Sequence, residues 1–248
     1  MKKELFITFE GCEASGKSTQ CSLLFERLLS AGYKVWLTKE PGGTPLANRI
    51  RQIVLEHEID DGLTELLLIS AARRDHVLEI KKRLSEGYIV ISDRFADSSI
   101  AYQGYCKGVP IDIVLSIIDL STDTHSEEIE DKIKEINPML NDAMSFKGEV
   151  LKPDITFLLT INTNEIQNRI IKSDKHNNFY DRKGIAFHAK VQEAFLKIAD
   201  GNTKRIRVIS GDDDVDAVGK EIWDIVRTHL SHTQDHDVTI LNSLSVIL

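Results

Sequence analysis

Five short apolar runs, rich in Val, Ile and Phe, alternate with longer stretches that carry apolar residues at helical spacing. The runs cover residues 5–9, 34–38, 88–92, 154–161 and 205–209. Strands that alternate with helices are typical of a parallel sheet covered by helices on both faces. The pattern therefore predicts an α/β fold, a three-layer α/β/α arrangement with a five-stranded parallel sheet flanked by helices.

The same pattern indicates where helices and loops meet the sheet. A first helix is expected over residues 17–31 and a long one over residues 64–86, each ending at a glycine. In open α/β sheets, ligands bind at the carboxyl ends of the strands. We therefore expect the loops at residues 11–18, 40–44 and 93–94 to surround one crevice.

Residues 11–18 read Gly-Cys-Glu-Ala-Ser-Gly-Lys-Ser, a complete GxxxxGK[ST] loop between the first strand and the first helix. Its glycines let successive N–H groups point at a phosphate, Lys17 can reach the outer phosphates, and the Ser18 hydroxyl suits magnesium. The following helix adds the positive end of its dipole. The alternative is a tight turn with an incidental lysine. The residues predicted to bind the phosphates of a nucleotide are Gly11, Cys12, Glu13, Ala14, Ser15, Gly16, Lys17, Ser18 and Thr19.

Composition narrows the class of protein. The chain has 248 residues, 42% hydrophobic and 28% charged, which suffices for one sizeable core. A net charge of −8 argues against a nucleic-acid coat protein. Its three cysteines are scattered, so neither a disulfide framework nor a zinc site is indicated. Without a secretory leader or a membrane span in the pattern, we expect a cytoplasmic protein with no nucleic-acid or membrane partner.

Two segments depart from the alternation. Residues 121–147 are polar and rich in acidic residues, and could form a helical excursion or a loop. The segment 230–248 ends in apolar residues and is expected to dock on this chain or on a neighbour. His229, just before this segment, and His232 and His236 within it could bind a metal or simply lie on the surface. We expect one domain over residues 1–229 and a C-terminal tail over residues 230–248.

A phosphate loop alone does not distinguish a kinase from a GTPase or an ATP-driven motor. The Asn-Lys-x-Asp motif and the strand-borne Asp-x-x-Gly motif of GTPases do not occur. Instead, Arg51 follows the Pro-Gly-Gly turn, Arg94 follows a buried strand, and Arg73 and Arg74 lie within the predicted long helix. Any one of them alone would more often form a surface ion pair. Together they favour a second anion site, because guanidinium groups bind phosphate with two hydrogen bonds.

Together, these motifs resemble the bacterial-type thymidylate kinases, a family of P-loop nucleoside monophosphate kinases. The matching segments are residues 9–18, 39–44, 73, 93–95, 97–104, 152–154 and 187–191. The resemblance covers the chain from Leu5 to about Arg227. It implies transfer of the γ-phosphoryl group of ATP to dTMP in dTTP synthesis, with Mg²⁺ accompanying ATP, in a homodimer.

The resemblance also implies roles for individual residues. The implied catalytic residues are Lys17, Asp93, Arg94 and Arg182. The implied dTMP-binding residues are Glu10, Glu40, Pro41, Arg51, Ile69, Arg73, Arg94, Ser99, Tyr102 and Gln103. The implied metal ligands, direct or through water, are Ser18, Glu10 and Asp93. Among these, Ser99 and Gln103 would face the thymine edge and Tyr102 would pack against the sugar.

The chain departs from the family pattern in the source of its catalytic charge. Ala14 stands where some relatives carry an arginine in the phosphate loop, so that charge would come from the lid, about residues 173–184. There Phe179 occupies the usual arginine position, and Arg182 is the favoured replacement. The alternatives are Lys175 and Arg169.

A second departure concerns the base. Ile69 stands where an aromatic ring normally stacks on thymine, so weaker dTMP affinity is expected. Two other functions stay open at this point. The chain could phosphorylate another nucleoside monophosphate, or it could be a nucleotide-binding regulator whose catalysis has decayed. A panel of monophosphate acceptors distinguishes these possibilities.

Overall fold

The five predicted strands form one parallel sheet in a computed structural model that describes residues 4–123, 150–172 and 179–244. Its strands are β1 (Leu5–Glu10), β2 (Val35–Lys39), β3 (Ile89–Asp93), β4 (Ile155–Thr160) and β5 (Ile206–Ser210). Their order is β2-β3-β1-β4-β5, and every pairing is parallel. The predicted α/β fold and the five-stranded sheet are confirmed.

Helices occupy the intervals as the spacing predicted. They are α1 (Lys17–Ser30), α2 (Pro45–Glu56), α3 (Gly62–Ser85), α4 (Ala96–Ser99), α5 (Ile111–Thr122), α6 (Thr163–Lys172), α7 (Ile185–Asp200) and α8 (Val215–Leu244). The short α4 runs directly into a π-helical segment, Ile100–Cys106. Such segments are rare and frequently lie at functional sites. Here the segment carries Tyr102 and Gln103, both predicted site residues.

Successive side chains of β1 point to opposite faces of the sheet, and each face packs against different helices. Ile7 and Phe9 pack in a core cluster with residues of α1 and α8. Phe6, on the opposite face, packs with Val77 and Ile80 of α3. All six residues of β1 are buried, because the strand is central in the sheet and helices cover both faces.

Capping residues define where α2 and α3 begin. The Thr44 hydroxyl accepts a hydrogen bond from the Ala47 N–H at 3.1 Å, immediately before Pro45 opens α2. Asp61 accepts from the Thr64 N–H at 2.7 Å, so α3 begins at Gly62, two residues before the predicted start. A side-chain acceptor satisfies one of the backbone donors that the first turn leaves unpaired.

Several expectations fall partly or wholly outside the described residues. These include most of the polar segment 121–147 and Lys175 in the lid. The predicted boundary at residues 229 and 230 lies within α8, where Leu230 is buried in the core cluster shared with α1. Among the helices that the structure describes, none is long and apolar enough to cross a membrane.

Candidate active site

A cavity of about 670 Å³ lies at the carboxyl ends of the strands. Its wall includes the loop after β1, Glu40 after β2, Arg94 after β3, Leu159 of β4 and Gly211 after β5. The convergence follows from the parallel topology, which brings all the carboxyl ends to one edge of the sheet. The crevice predicted from three separate loops is therefore a single cavity.

Three residues with positive φ curl the phosphate loop. Gly11 has φ +140°, and a Cβ there would collide with the carbonyl oxygen of Leu159. Gly16 has φ +96°, and Ala14 has φ +58°, a left-handed conformation that costs a non-glycine residue about 1 kcal/mol or more. The loop thus curls between β1 and α1, as the motif predicted.

Lys17 is folded into this loop. Its Nζ donates to the carbonyl oxygen of Cys12 at 2.6 Å and to Ser15 Oγ at 3.3 Å. Burial lowers the pKa of Lys17, and the nearby charge of Arg94 lowers it further. Both acceptors belong to the phosphate loop. The ammonium group therefore lies within the loop, where it could contact phosphates bound there.

Ser18 and Asp93 form a pair of oxygen donors on the cavity wall. The Ser18 hydroxyl donates to Asp93 Oδ2 at 2.5 Å. A hydroxyl and a carboxylate suit Mg²⁺, which proteins usually bind through one or two such groups plus the phosphates of the substrate.

Glu10 lies beneath the cavity, outside the set of residues that line its wall. It is 1% exposed, and its oxygens accept from the Phe95 N–H at 2.8 Å and the Ser98 hydroxyl at 2.6 Å. Burial raises the pKa of Glu10 to about 7, assisted by the charge of Asp97. Its predicted contact with dTMP or metal stays a prediction.

Arg94 connects the phosphate loop to the opposite side of the cavity. Its Nη1 donates to the carbonyl oxygen of Gly11 at 2.9 Å and its Nη2 to Glu13 Oε1 at 3.1 Å. The guanidinium lies 5.2 Å from the centre of the Tyr102 ring. Burial opposes the charged form, but Tyr102, Glu13 and other nearby groups outweigh it and raise the pKa of Arg94. The guanidinium of Arg94 is therefore fixed by hydrogen bonds and always positively charged.

The Glu13 side chain leaves the phosphate loop and joins a polar network. It accepts from the Tyr102 hydroxyl at 2.6 Å and from His188 Nδ1 at 3.1 Å, in addition to Arg94. Burial raises its pKa, but these hydrogen bonds and the charges of Arg94 and Lys17 outweigh it, lowering the pKa to about 2. Sequence reasoning assigned Glu13 to ATP and gave His188 no role at the site.

Arg73 lines the cavity beside Glu40 and Ser99, at what we call the Glu40 end, and only 1% of its surface is exposed. Its Nε donates to Glu40 Oε2 at 2.8 Å and its Nη2 to Ser99 Oγ at 2.9 Å. Burial raises the pKa of Glu40, but Arg73 and His76 outweigh it and lower the pKa. Among the described residues, Nη1 of Arg73 has no hydrogen-bond partner.

Gln103 also lines this end, and its Nε2 donates to Glu65 Oε2 at 2.8 Å. Its Oε1 finds no partner among the described residues. Glu65 was missed by sequence reasoning, because an acidic residue in the first turn of a helix normally signals only a favourable interaction with the helix dipole.

Most predicted site residues converge on the cavity. Those on its wall are Glu13, Ala14, Ser15, Gly16, Lys17, Ser18, Thr19, Glu40, Pro41, Arg51, Ile69, Arg73, Asp93, Arg94, Ser99, Tyr102 and Gln103. Off the described wall lie Glu10, Gly11, Cys12 and Arg182. Arg51 donates from Nη1 to the carbonyl oxygen of Pro41 at 3.0 Å, which holds it at the same end as Glu40.

The lid positions differ in exposure. Arg182 is exposed, whereas Arg169 lines the cavity and donates from Nη1 to the carbonyl oxygen of Gly211 at 3.0 Å. Phe179 is buried against Tyr180, with their ring centres 5.4 Å apart. The residue at the usual arginine position therefore contributes to the core. The role predicted for Arg182 stays a prediction.

Comparisons with known proteins agree with this geometry. A family model for thymidylate kinase matches residues 9–122. The thymidylate kinase of Staphylococcus haemolyticus is 34% identical over 226 residues, covering 91% of this chain and 98% of the relative. That of a Sulfurihydrogenibium species is 38% identical over 225 residues, covering 90% and 96%.

A solved structure gives the same result for the fold. The crystal structure of thymidylate kinase from Ehrlichia chaffeensis matches with a TM-score of 0.65 and 32% identity, covering 91% of this chain and 99% of that one. The cavity, which contains both a phosphate loop and a buried arginine, agrees with these comparisons. Because the sequences are 32–38% identical over nearly the full length of each relative, the chain belongs to the thymidylate kinase family.

Proposed function

We infer that the chain transfers the γ-phosphoryl group of ATP to dTMP, giving dTDP and ADP. The observation that carries this inference is one cavity with two different ends. The phosphate loop with Lys17 forms one end, and Arg73, Ser99 and Gln103 form the other. Arg94 contacts both, because it donates to the carbonyl oxygen of Gly11 in the loop and to the hydroxyl of Ser98, the neighbour of Ser99. Two nucleotides bound in this way would bring their phosphates together.

The chemistry asks mainly for alignment and positive charge. A phosphate oxygen of dTMP attacks the γ-phosphorus, the bond from that phosphorus to the β-phosphate oxygen breaks, and ADP leaves. The attacking oxygen is already ionised near neutral pH, so a general base is of little use. Lys17 and Arg94 are the cations best placed to stabilise the charge that spreads over the moving group.

We further propose that Mg²⁺ accompanies ATP and is held by Ser18, with Asp93 directly or through water. The two groups are hydrogen-bonded to each other on the cavity wall, and a hydroxyl and a carboxylate are oxygen ligands of the kind that a hard cation prefers. When bound, Mg²⁺ would neutralise charge on the β- and γ-phosphates. Until then, the Ser18 hydroxyl donates to Asp93 and keeps both groups at the end of α1 that faces the loop.

A coupled assay of ADP release tests the function, using dTMP, dUMP, dCMP, dGMP and UMP as acceptors. We expect the highest kcat/KM with dTMP and loss of turnover in Lys17→Ala. Equal activity with all acceptors would favour a kinase of broader specificity. Tight ATP binding without turnover on any acceptor would favour a decayed regulator.

We also propose that the protein is a homodimer and works in the cytoplasm. Helix α3 packs against α2 and α5, and the three helices leave several large apolar side chains exposed. These are Leu46, Ile53, Leu63, Leu67, Leu78, Ile113, Leu115 and Leu120. Exposed apolar groups on neighbouring helices suit a subunit interface. Light scattering after size exclusion tests the proposal, which a monomer at micromolar concentration would contradict.

A further inference from the structure

We infer that Glu65 is a positioning residue that fixes the orientation of the Gln103 amide and thereby selects pyrimidines that carry a hydrogen on ring nitrogen N3. The inference rests on the proposed function and names the part of the site that chooses the base. Glu65 itself is outside the cavity wall, on the first turn of α3, and is 1% exposed. It acts through the side chain that it touches.

Three donors hold the Glu65 carboxylate. Oε2 accepts from Gln103 Nε2 at 2.8 Å and pairs with Lys107 Nζ at 2.9 Å, and Oε1 accepts from the Tyr180 hydroxyl. Lys107 is itself anchored, because its Nζ also donates to the carbonyl oxygen of Ile59 at 2.6 Å. Donors on both oxygens oppose rotation of the carboxylate, so its position relative to Gln103 is set.

A carboxylate has acceptors only, so Gln103 must turn its NH₂ group towards Glu65. The carbonyl oxygen Oε1 of the amide is then directed elsewhere, and it has no partner among the described residues. Gln103 is 2% exposed, and a buried unpaired acceptor costs free energy until a ligand donates to it. Nη1 of Arg73, at the same end of the cavity, is an unpaired buried donor.

One acceptor and one donor complement a specific base edge. Thymine and uracil carry a hydrogen on N3 beside the acceptor oxygen O4. Cytosine reverses both, with an acceptor at N3 and a donor amino group on C4. With the amide of Gln103 flipped, the site would offer NH₂ to N3 and would fit cytosine at that atom. Glu65 prevents this flip, and it therefore decides which pyrimidine finds its partners.

Glu65→Met tests the inference, because it removes the carboxylate that Gln103 and Lys107 share, so that no acceptor opposes a flip of the Gln103 amide. We expect the ratio of kcat/KM for dTMP to that for dCMP to fall about tenfold or more, as hydrogen-bonded base contacts discriminate to that extent. The ratio for dTMP to dUMP should stay unchanged, because these two share N3–H and O4 and differ only by the methyl group.

Two further variants serve as controls. Glu79→Met makes the same chemical change on the solvent side of α3, where Glu79 pairs with Arg83, and both ratios should match the unmodified enzyme. Tyr180→Phe removes a donor to Glu65 but keeps the carboxylate, so the dTMP to dCMP ratio should persist whatever happens to turnover.

An unchanged dTMP to dCMP ratio in Glu65→Met would overturn the inference, and so would an equal fall in both ratios, which would indicate a loosened pocket. If that variant does not fold, Gln103→Met removes the amide and leaves Glu65 with its other partners. An unchanged dTMP to dCMP ratio there would overturn the inference equally. Failure of the unmodified enzyme to phosphorylate dTMP would instead overturn the proposed function.

Discussion

The carboxylate of Glu13, inside the phosphate loop, accepts a hydrogen bond at 3.1 Å from Nδ1 of His188, which is 175 residues further along the chain. His188 is fully buried on α7, and Glu13 also receives bonds from Arg94 and Tyr102. The loop that would bind ATP is thus held by a helix from the far end of the chain.

This network predicts a pH dependence for Glu13. Its folded pKa of about 2 lies below the ordinary 4.5, so ionised Glu13 stabilises the fold above pH 4.5 and this contribution is lost as pH falls towards 2. Glu13→Gln should therefore lower the free energy of unfolding most near neutral pH, with the difference shrinking below pH 4.5. Urea unfolding at a series of pH values measures this. A difference that did not change with pH would contradict the network.

Glu10 should change the stability of the fold with pH in the opposite direction to Glu13. Its folded pKa of about 7 lies above the ordinary 4.5, so the folded state binds more protons in this interval and stability falls as pH rises from 4.5 to 7. In Glu10→Gln this decline should disappear, whatever the offset from altered hydrogen bonds. The same urea series measures it, and Glu13→Gln serves as the matched control. Parallel curves for Glu10→Gln and unmodified protein would exclude the raised pKa.

Lys17→Ala should separate catalysis from folding. Its bonds are to groups of its own loop, so the melting temperature should change little. Loss of the phosphate-binding charge should lower kcat/KM about 10³-fold or more. Lys197→Ala, on the surface beside Glu193, is the control with full activity. Retained activity in Lys17→Ala would remove the lysine from the mechanism.

The lid charge can be assigned by comparing two arginines. If Arg182 closes on the transferring group, Arg182→Ala should lower kcat about tenfold or more while changing the Kd for ATP far less. Arg169 already lines the cavity, so Arg169→Ala should weaken ATP binding itself. Single-turnover kinetics and a nucleotide titration measure both effects. Unchanged kcat in Arg182→Ala would transfer the role to Lys175 or Arg169.

Ile69 should limit affinity for the base. It lines the cavity without an aromatic face, and an aromatic contact adds about 0.5–1.5 kcal/mol beyond the area it buries. Ile69→Phe should therefore tighten dTMP binding about two- to tenfold, with a similar gain for dUMP. Calorimetric titration of both nucleotides tests this. Weaker binding of both would indicate that the pocket has no room for a ring.

Much of the fold followed from local pattern. The strands and the main helices lie within a few residues of their predicted bounds, since burial on two faces makes parallel strands continuous apolar runs. The phosphate loop could also be predicted from the sequence, because its residues are consecutive. The start of α3 differed by two residues, since the capping interaction of Asp61 was not part of the apolar pattern.

The sequence by itself determined the α/β class, the five strands and the phosphate loop, because each is a pattern of residues close together in the chain. Only the tertiary structure decided that Glu13 bonds to His188, that Glu10 lies beneath the wall, and that Glu65 holds Gln103. These contacts join elements far apart in sequence. The packing of the helices on the sheet determines which donor bonds to which acceptor. The order of residues along the chain does not show how the helices pack.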